Sequence, residues 1–178
     1  MDSDEALFEA LVAGDMRAFD RLYERYERPL FAFVRAQLRD PADAEDVLHE
    51  AFMAVLRERG QRHAIRSFRA WIYQVARNLC LNRARAHERS GRALEAAAHD
   101  EALVASPLAA ERKIELEQLT TRLAHAVARL PERLAEMYRL RAAGLSYDEL
   151  AQTLNVPVGT VKSRMNEMVA RLREEMER

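Results

Sequence analysis

Side chains that can contact a DNA duplex follow a short turn near the carboxyl terminus. They comprise two hydroxyls, two cations and an amide, on Thr160, Lys162, Ser163, Arg164 and Asn166. Hydroxyls and cations bind phosphates, while Arg and Asn can also hydrogen-bond base edges in the major groove. Val161 and Met165 have the spacing that would hold such a helix to its domain. The segment predicts a recognition helix; an ordinary helix pair with a solvated face is the alternative.

A second candidate site is basic and rich in amides. The ten arginines between positions 57 and 92 are opposed by two glutamates, Glu58 and Glu88. Within this stretch, the polar residues that lie mostly off the apolar stripe of a helix are Arg77, Asn78, Asn82, Arg83 and Arg85. Such a face can follow a single DNA strand and bind exposed base edges. The nearby Phe68 and Trp71 lie on the apolar stripe, so we expect them to pack in the core.

A third candidate site is acidic and lies at the start of a predicted helix. Its carboxylates are Asp43, Glu45, Asp46 and Glu50. Asp43 falls in the first turn, where an interaction with the helix dipole is enough to explain it. Asp46 and Glu50 lie further along and share a face, which suits docking onto a basic partner surface. A solvated helix face is the alternative.

No set of residues predicts catalysis, a metal site or a cofactor. The five histidines are scattered without metal-ligand spacing, and the carboxylates around Glu45 lack a positioned second group. Cys80 is the sole cysteine, which rules out an intramolecular disulfide. No apolar run resembles a signal peptide or reaches membrane-spanning length. We therefore expect a cytoplasmic protein without membrane insertion that is not an enzyme.

Apolar spacing predicts an all-α protein of two helical domains joined by a linker. Residues 1–90 form the first domain, residues 91–112 lose the amphipathic rhythm, and residues 113–178 form the second domain. Asp40-Pro41 predicts the start of a helix, because an acceptor precedes a proline in the first turn. Ser146 and Glu149 form a capping box ahead of a short helix, a tight turn and a final helix from about Val158. This order is typical of a helix-turn-helix unit.

Three segments together resemble the extracytoplasmic-function sigma factors of the sigma-70 family. Residues 40–52 (DPADAEDVLHEAF) resemble the helix of that family that binds core polymerase. Residues 68–72 (FRAWI) and 76–79 (ARNL) resemble its promoter-melting helix. Residues 145–151 (LSYDELA) and 156–164 (VPVGTVKSR) resemble its carboxy-terminal helix-turn-helix. The order and separation of the segments make the resemblance specific, and it spans nearly the whole chain.

The resemblance implies a factor that directs core RNA polymerase to promoters and assists their melting. The first domain, region two, would grip a coiled coil of the largest polymerase subunit through Asp43, Asp46, His49 and Glu50. Its basic face would engage the melted minus-ten strand. The second domain, region four, would bind the minus thirty-five duplex while it docks on the flap of the other large subunit. An anti-sigma partner is also implied.

One position departs from the resemblance. Glu167 stands where further arginines are usual, and near DNA a carboxylate would repel phosphate or accept from a cytosine amino group. Two other functions stay open: a free-standing helix-turn-helix regulator, and a sigma-mimicking interaction protein that does not bind DNA. All three surfaces must be able to meet separate partners if the sigma interpretation is right.

Overall fold

The fold is described from a computed structural model. It covers residues 2–38, 40–59, 65–89 and 107–177, with side chains from residue 118 in the last range. The described residues contain helices and no strand, as the sequence predicts. The helices are α1 (Asp4–Val12), α2 (Met16–Arg35), α3 (Pro41–Glu58), α4 (Phe68–Arg89), α5 (Pro107–Ala128), α6 (Glu132–Ala142), α7 (Tyr147–Leu154) and α8 (Val158–Met176). Helix α5 begins inside the predicted linker, most of which lies outside the described residues.

Local capping fixes where several helices begin and end. The Asp40 carboxylate accepts from the Ala42 amide ahead of Pro41, as the sequence predicts. Ser146 and Glu149 form the predicted reciprocal capping box at the start of α7. After α6 the chain turns at Gly144, whose φ of +89° is easily adopted only by glycine. These caps satisfy backbone groups that have no partner inside the helix.

The apolar faces of the helices meet in one continuous core. In α1–α4 an aromatic group joins Phe8, Tyr26, Phe68 and the half-buried Trp71, with Phe68 fully buried. In α6–α8 the fully buried side chains are Leu134, Met137, Leu140, Leu150 and Val161. Both groups belong to the same apolar cluster. Phe68 and Trp71 therefore pack in the core, as predicted.

The two groups of helices touch through α4. Helices α1–α4 pack on one another, α8 packs on α5, α6 and α7, and α4 packs along α7. The contact brings the start of the basic helix against the first helix of the helix-turn-helix unit. The positions of the three predicted surfaces relative to this contact decide which of them can reach a partner.

Candidate nucleic-acid interface

Helix α8 is anchored on one face and open on the other. Val161 is fully buried and Met165 is nearly so, which holds the helix against α6 and α7. On the opposite side Lys162, Ser163 and Asn166 are exposed, and Thr160 and Arg164 are half-buried. Asn155, with a left-handed φ of 52°, makes the sharp turn that sets this helix against α7. The polar residues predicted to contact a duplex thus lie on an accessible helix start.

Glu167 has partners within the protein. Arg133, at the start of α6, donates to both of its carboxylate oxygens at 3.0 and 3.2 Å. Arg171, one turn further along α8, donates from Nε at 3.2 Å. Two guanidinium groups therefore surround the single carboxylate. The negative charge of Glu167, expected near DNA from the resemblance, is compensated by one arginine on its own helix and one on a neighbouring helix.

The basic face of α4 divides into exposed and engaged side chains. Asn78, Asn82 and Arg85 are exposed and follow one another at helical spacing along one face. Arg77 and Arg83 are half-buried and paired with carboxylates. The five residues that the sequence analysis grouped together thus lie on one helix, but three are exposed to solvent and two are half-buried in ion pairs. The two amides and Arg85 form the part that faces solvent.

Arg83 links the basic helix to the acidic one. Its guanidinium lies 3.2 Å from Asp43, 3.5 Å from Asp46 and 3.0 Å from Glu50. Asp43 is the least exposed of the three carboxylates, at 14%, and it also bonds His87 at 2.5 Å. Asp46 and Glu50 keep 63% and 51% of their side chains exposed. Exposed pairs of this kind are weak, so Asp46 and Glu50 can exchange Arg83 for another cation.

The exposed acidic face of α3 has an apolar neighbour that the sequence analysis missed. His49 and Glu50 lie three and four positions after Asp46 and four and three positions before Met53, so the four residues share one side of the helix. Met53 is 51% exposed. Met53 lies one helical turn beyond His49, and this spacing in the sequence could have identified it as part of the same face. A face with carboxylates and one exposed thioether combines charge with apolar area.

Three further polar contacts join α4 and the residue before it to helices α6 and α7. Sequence reasoning did not find them. The buried Thr153 hydroxyl donates to the Ala70 carbonyl at 3.1 Å. The Ser67 hydroxyl donates to Glu149 at 3.1 Å. Arg77 donates to the two oxygens of Glu136 at 2.5 and 3.2 Å. The only signal for any of them was a polar threonine among the apolar positions of α7.

Glu149 lies at the meeting point of two helix starts. Burial alone would raise the pKa of its carboxyl group, but hydrogen bonds from Ser146 and Ser67 and the nearby Arg69 lower it, and the net pKa is below the ordinary value. The carboxylate accepts from the Ser146 amide at 2.8 Å while it also binds Ser67. It is therefore held in its charged form.

The part of the chain that the structure describes has neither a candidate metal site nor a candidate membrane span. That part contains no group of three or more His, Cys, Asp or Glu side chains that could hold a metal ion. None of its helices has the length and apolar character needed to cross a bilayer.

Comparisons with known proteins match both ends of the chain. Residues 22–90 match the family described as Sigma-70 region 2, and residues 120–172 match Sigma-70, region 4. The ECF RNA polymerase sigma factor SigM of Mycobacterium tuberculosis is 33% identical over 172 residues, covering 96% of this chain and 83% of that protein. The RNA polymerase sigma-H factor of Pseudomonas aeruginosa is 30% identical over 174 residues, covering 92% and 89%.

Solved structures agree on the fold. CnrH, solved in complex with the cytosolic domain of CnrY, superposes with a TM-score of 0.69 at 24% identity and covers 99% of this chain and 98% of its own. The sigma factor RpoE, solved with the anti-sigma factor NepR from Bartonella quintana, also gives 0.69 at 22% identity, with coverage of 89% and 96%. At these identities the likeness establishes the helical architecture.

A helix-turn-helix unit beside a helical bundle with a basic, amide-rich helix defines a DNA-binding transcription factor. The chain belongs to the extracytoplasmic-function group of the sigma-70 family. It is a promoter-specific initiation factor for RNA polymerase and is not an enzyme. The family resemblance seen in the sequence is thereby confirmed.

Proposed function

We propose that the chain divides its work among three surfaces on two domains, residues 1–90 and residues 113–178. The face of α3 binds core RNA polymerase, the exposed face of α4 binds the melted minus-ten strand, and the start of α8 binds the minus thirty-five duplex. The observation that carries this proposal is that each surface keeps exposed side chains of the required chemistry. Each also lies on its own helix, so one partner does not have to displace another.

The polymerase-binding surface consists of the exposed side chains of Asp46, His49, Glu50 and Met53. The carboxylates suit a basic coiled coil of the largest subunit. Burial of the apolar Met53 side chain in the complex would add to the binding free energy. We also assign Asp43 to this surface. Its low exposure and its bonds to Arg83 and His87 suit a supporting part, in which it holds the basic helix beside the acidic one.

The strand-binding surface consists of Asn78, Asn82 and Arg85, with Arg77 and Arg83 beside them. An asparagine amide can donate to and accept from the edge of an unpaired base, and the arginines can bind the phosphates on either side. A base extruded from the stack costs a few kcal/mol, so protein contacts must stabilise it. The two exposed amides are the groups on α4 suited to that recognition.

The duplex-binding surface consists of Thr160, Lys162, Ser163, Arg164 and Asn166. Lys162 and the two hydroxyls suit phosphates, while Arg164 and Asn166 suit base edges. The local charge near Glu167 is balanced, and the net charge of the whole chain is −1. We therefore expect weak duplex binding by the free chain. Binding becomes strong when polymerase holds both domains, because the second contact is then intramolecular.

The proposal also extends to partners and place of action. The second domain docks on the flap of the other large polymerase subunit, and an anti-sigma factor, such as the one bound to the RpoE relative, controls access. Promoter DNA and core polymerase lie in the cytoplasm, so the chain acts there. A free-standing regulator would not need a polymerase-binding surface on α3. A sigma mimic would not need the exposed amides of α4, which are suited to binding DNA.

Transcription with purified core polymerase on a library of genomic fragments from the source organism tests this function. The double variant Asn78→Ala with Asn82→Ala should lower initiation on duplex promoters about ten-fold or more, since each base contact is worth roughly 1–3 kcal/mol. On a template already unpaired at the minus-ten element, most of the loss should disappear.

Glu88→Ala is the matched control, because Glu88 is exposed near the end of the same helix, six positions beyond Asn82. It should transcribe like the unchanged protein on both templates. Equal losses on duplex and unpaired templates would assign the amides a structural part instead. Absence of any stimulation of core polymerase by the unchanged chain would contradict the proposed function as a whole.

A further inference from the structure

A small open groove lies between α2 and α6, and none of its lining residues belongs to the three surfaces of the proposed function. Its volume is about 290 Å³, at the lower end of the range of small-molecule sites. Four alanines on the two facing helices form much of its wall, namely Ala32, Ala36, Ala142 and Ala143. Because these side chains are short, the space between the helices stays unfilled.

Arg139 gives the groove a hydrogen-bond donor that has no partner. Among the residues that the structure describes, its Nε is the only buried side-chain nitrogen or oxygen without a hydrogen bond. Another nitrogen of the same guanidinium donates to Glu132, whose side chain is 81% exposed, so that ion pair is weak. A buried donor without an acceptor is costly and rare in native proteins. The Nε–H therefore indicates that an acceptor from outside the chain completes this site.

Neither the neighbouring thiol nor a water molecule suits the role of that acceptor. Burial raises the pKa of the Cys80 thiol to about 12, and the nearby Arg139 guanidinium lowers it by less. The thiol therefore stays uncharged at neutral pH, and a neutral thiol is a weak acceptor. An ordered water needs several polar partners, whereas the lining of the groove is mainly apolar.

We propose that the groove binds a small neutral acyl compound, an amide or an ester. Its carbonyl oxygen accepts from the Nε–H of Arg139, and its hydrocarbon chain lies along the alanine walls. The carbonyl supplies the missing acceptor, and the chain removes apolar area from water. A protein segment fits less well, because a stable protein interface buries about 800 Å² on each partner and this groove is too small for that.

The charges around Arg139 favour a neutral ligand over an anionic one. Glu132 and Glu136 precede Arg139 by seven and three positions, so the three residues share one face of α6. Glu132 binds Arg139, and Glu136 binds Arg77. Two carboxylates thus already balance the two guanidinium groups. A ligand carboxylate would add an unbalanced negative charge, whereas a neutral carbonyl satisfies the Nε–H without one.

Titration of the full chain with octanamide tests the site. With ¹³C-labelled alanine methyl groups, the signals of Ala32 and Ala142 should shift and saturate with a dissociation constant of about 0.1–10 mM, as expected for so small a ligand. Ala10 and Ala18 line a different cleft, between α1 and α2, so their signals should not move. Octylammonium has the same chain without an acceptor, and octanoate carries a charge. Both should bind about 3-fold more weakly or worse.

Two variants separate the hydrogen bond from the space. Arg139→Met keeps an apolar stem but removes the donor, so octanamide should bind about 2- to 10-fold more weakly and lose its advantage over octylammonium. Ala142→Leu fills the groove and should abolish saturable binding. It should still fold, because Ala142 is exposed and leucine is a good helix former. Ala128→Leu, at an exposed position on α5 outside the groove, is the control and should bind octanamide like the unchanged chain.

Three results would overturn the acyl site. They are the absence of a saturable shift at the groove alanines, equal binding of octanamide by Arg139→Met and the unchanged chain, and tighter binding of octanoate than of octanamide. The last result would assign the groove to an anion. Each can occur while the chain still directs polymerase to promoters, so failure of this site is distinct from failure of the proposed function.

Discussion

Replacing Glu167 with glutamine tests how the recognition helix tolerates an acid. In the structure the carboxylate neutralises Arg133 and Arg171, whose side chains are 56% and 49% exposed. Pairs this exposed contribute about 1 kcal/mol or less to folding, so Glu167→Gln should fold normally. The variant frees two guanidinium groups beside the helix that binds the duplex. We expect stronger binding of the promoter duplex by the polymerase complex.

The expected gain in duplex affinity of Glu167→Gln has two contributions. Removing one charge about 10 Å from a phosphate is worth about 0.4 kcal/mol in water before screening, or about two-fold in affinity. If Arg133 gains a phosphate contact, the slope of log affinity against log salt steepens by about 0.9. Fluorescence anisotropy of labelled promoter duplex with the assembled polymerase complex, between about 50 and 200 mM salt, measures both.

Glu174→Gln is the control, because it removes the same charge two turns further along α8 at an exposed position. It should change affinity less and leave the salt slope unaltered. Weaker binding of Glu167→Gln, with lost preference at one C·G pair, would refute the reasoning. Glu167 would then leave its arginines and accept from a cytosine amino group.

Two further predictions concern stability. Leu150→Ala removes a fully buried side chain of α7 and should lower the free energy of unfolding in urea by about 2–5 kcal/mol. The control Leu119→Ala, at a position 53% exposed, should change it by about 0.5 kcal/mol or less. Equal effects would mean that Leu150 is not in the core. Because the folded pKa of Glu149 is below its ordinary value of 4.5, the stability it contributes is present above that pH and is lost as pH falls through the folded pKa. Urea unfolding between about pH 3 and 6 should therefore depend less on pH in Glu149→Gln, and an unchanged profile would contradict this.

Much of the fold was predictable because its signals are local. Asp40 before Pro41 marked the start of α3, and Ser146 with Glu149 marked the start of α7. A cap acts within one turn of the chain, so its partners are visible a few positions apart. The spacing of Val161 and Met165 likewise predicted the buried face of α8. The parts assigned to polymerase, strand and duplex binding remain predictions.

The states of individual charges were not predictable in the same way. The sequence grouped Arg77 with Asn78 and Arg83, but packing gives Arg77 to Glu136 and leaves Asn78 exposed. Neighbouring positions on a helix point in directions about 100° apart, so residues close in sequence meet different neighbours. Long arginine side chains then find whichever carboxylate the packing brings within reach.

By itself the sequence determined the helices, the helix-turn-helix unit, the family and the chemical character of the three surfaces. These follow from spacing, capping and residue type, which act over a few residues. Tertiary structure alone decided that Glu167 is balanced by Arg133 and that Thr153 reaches Ala70. Such pairs join positions 34 and 83 residues apart, and no periodicity within a helix records which faces of different helices will meet.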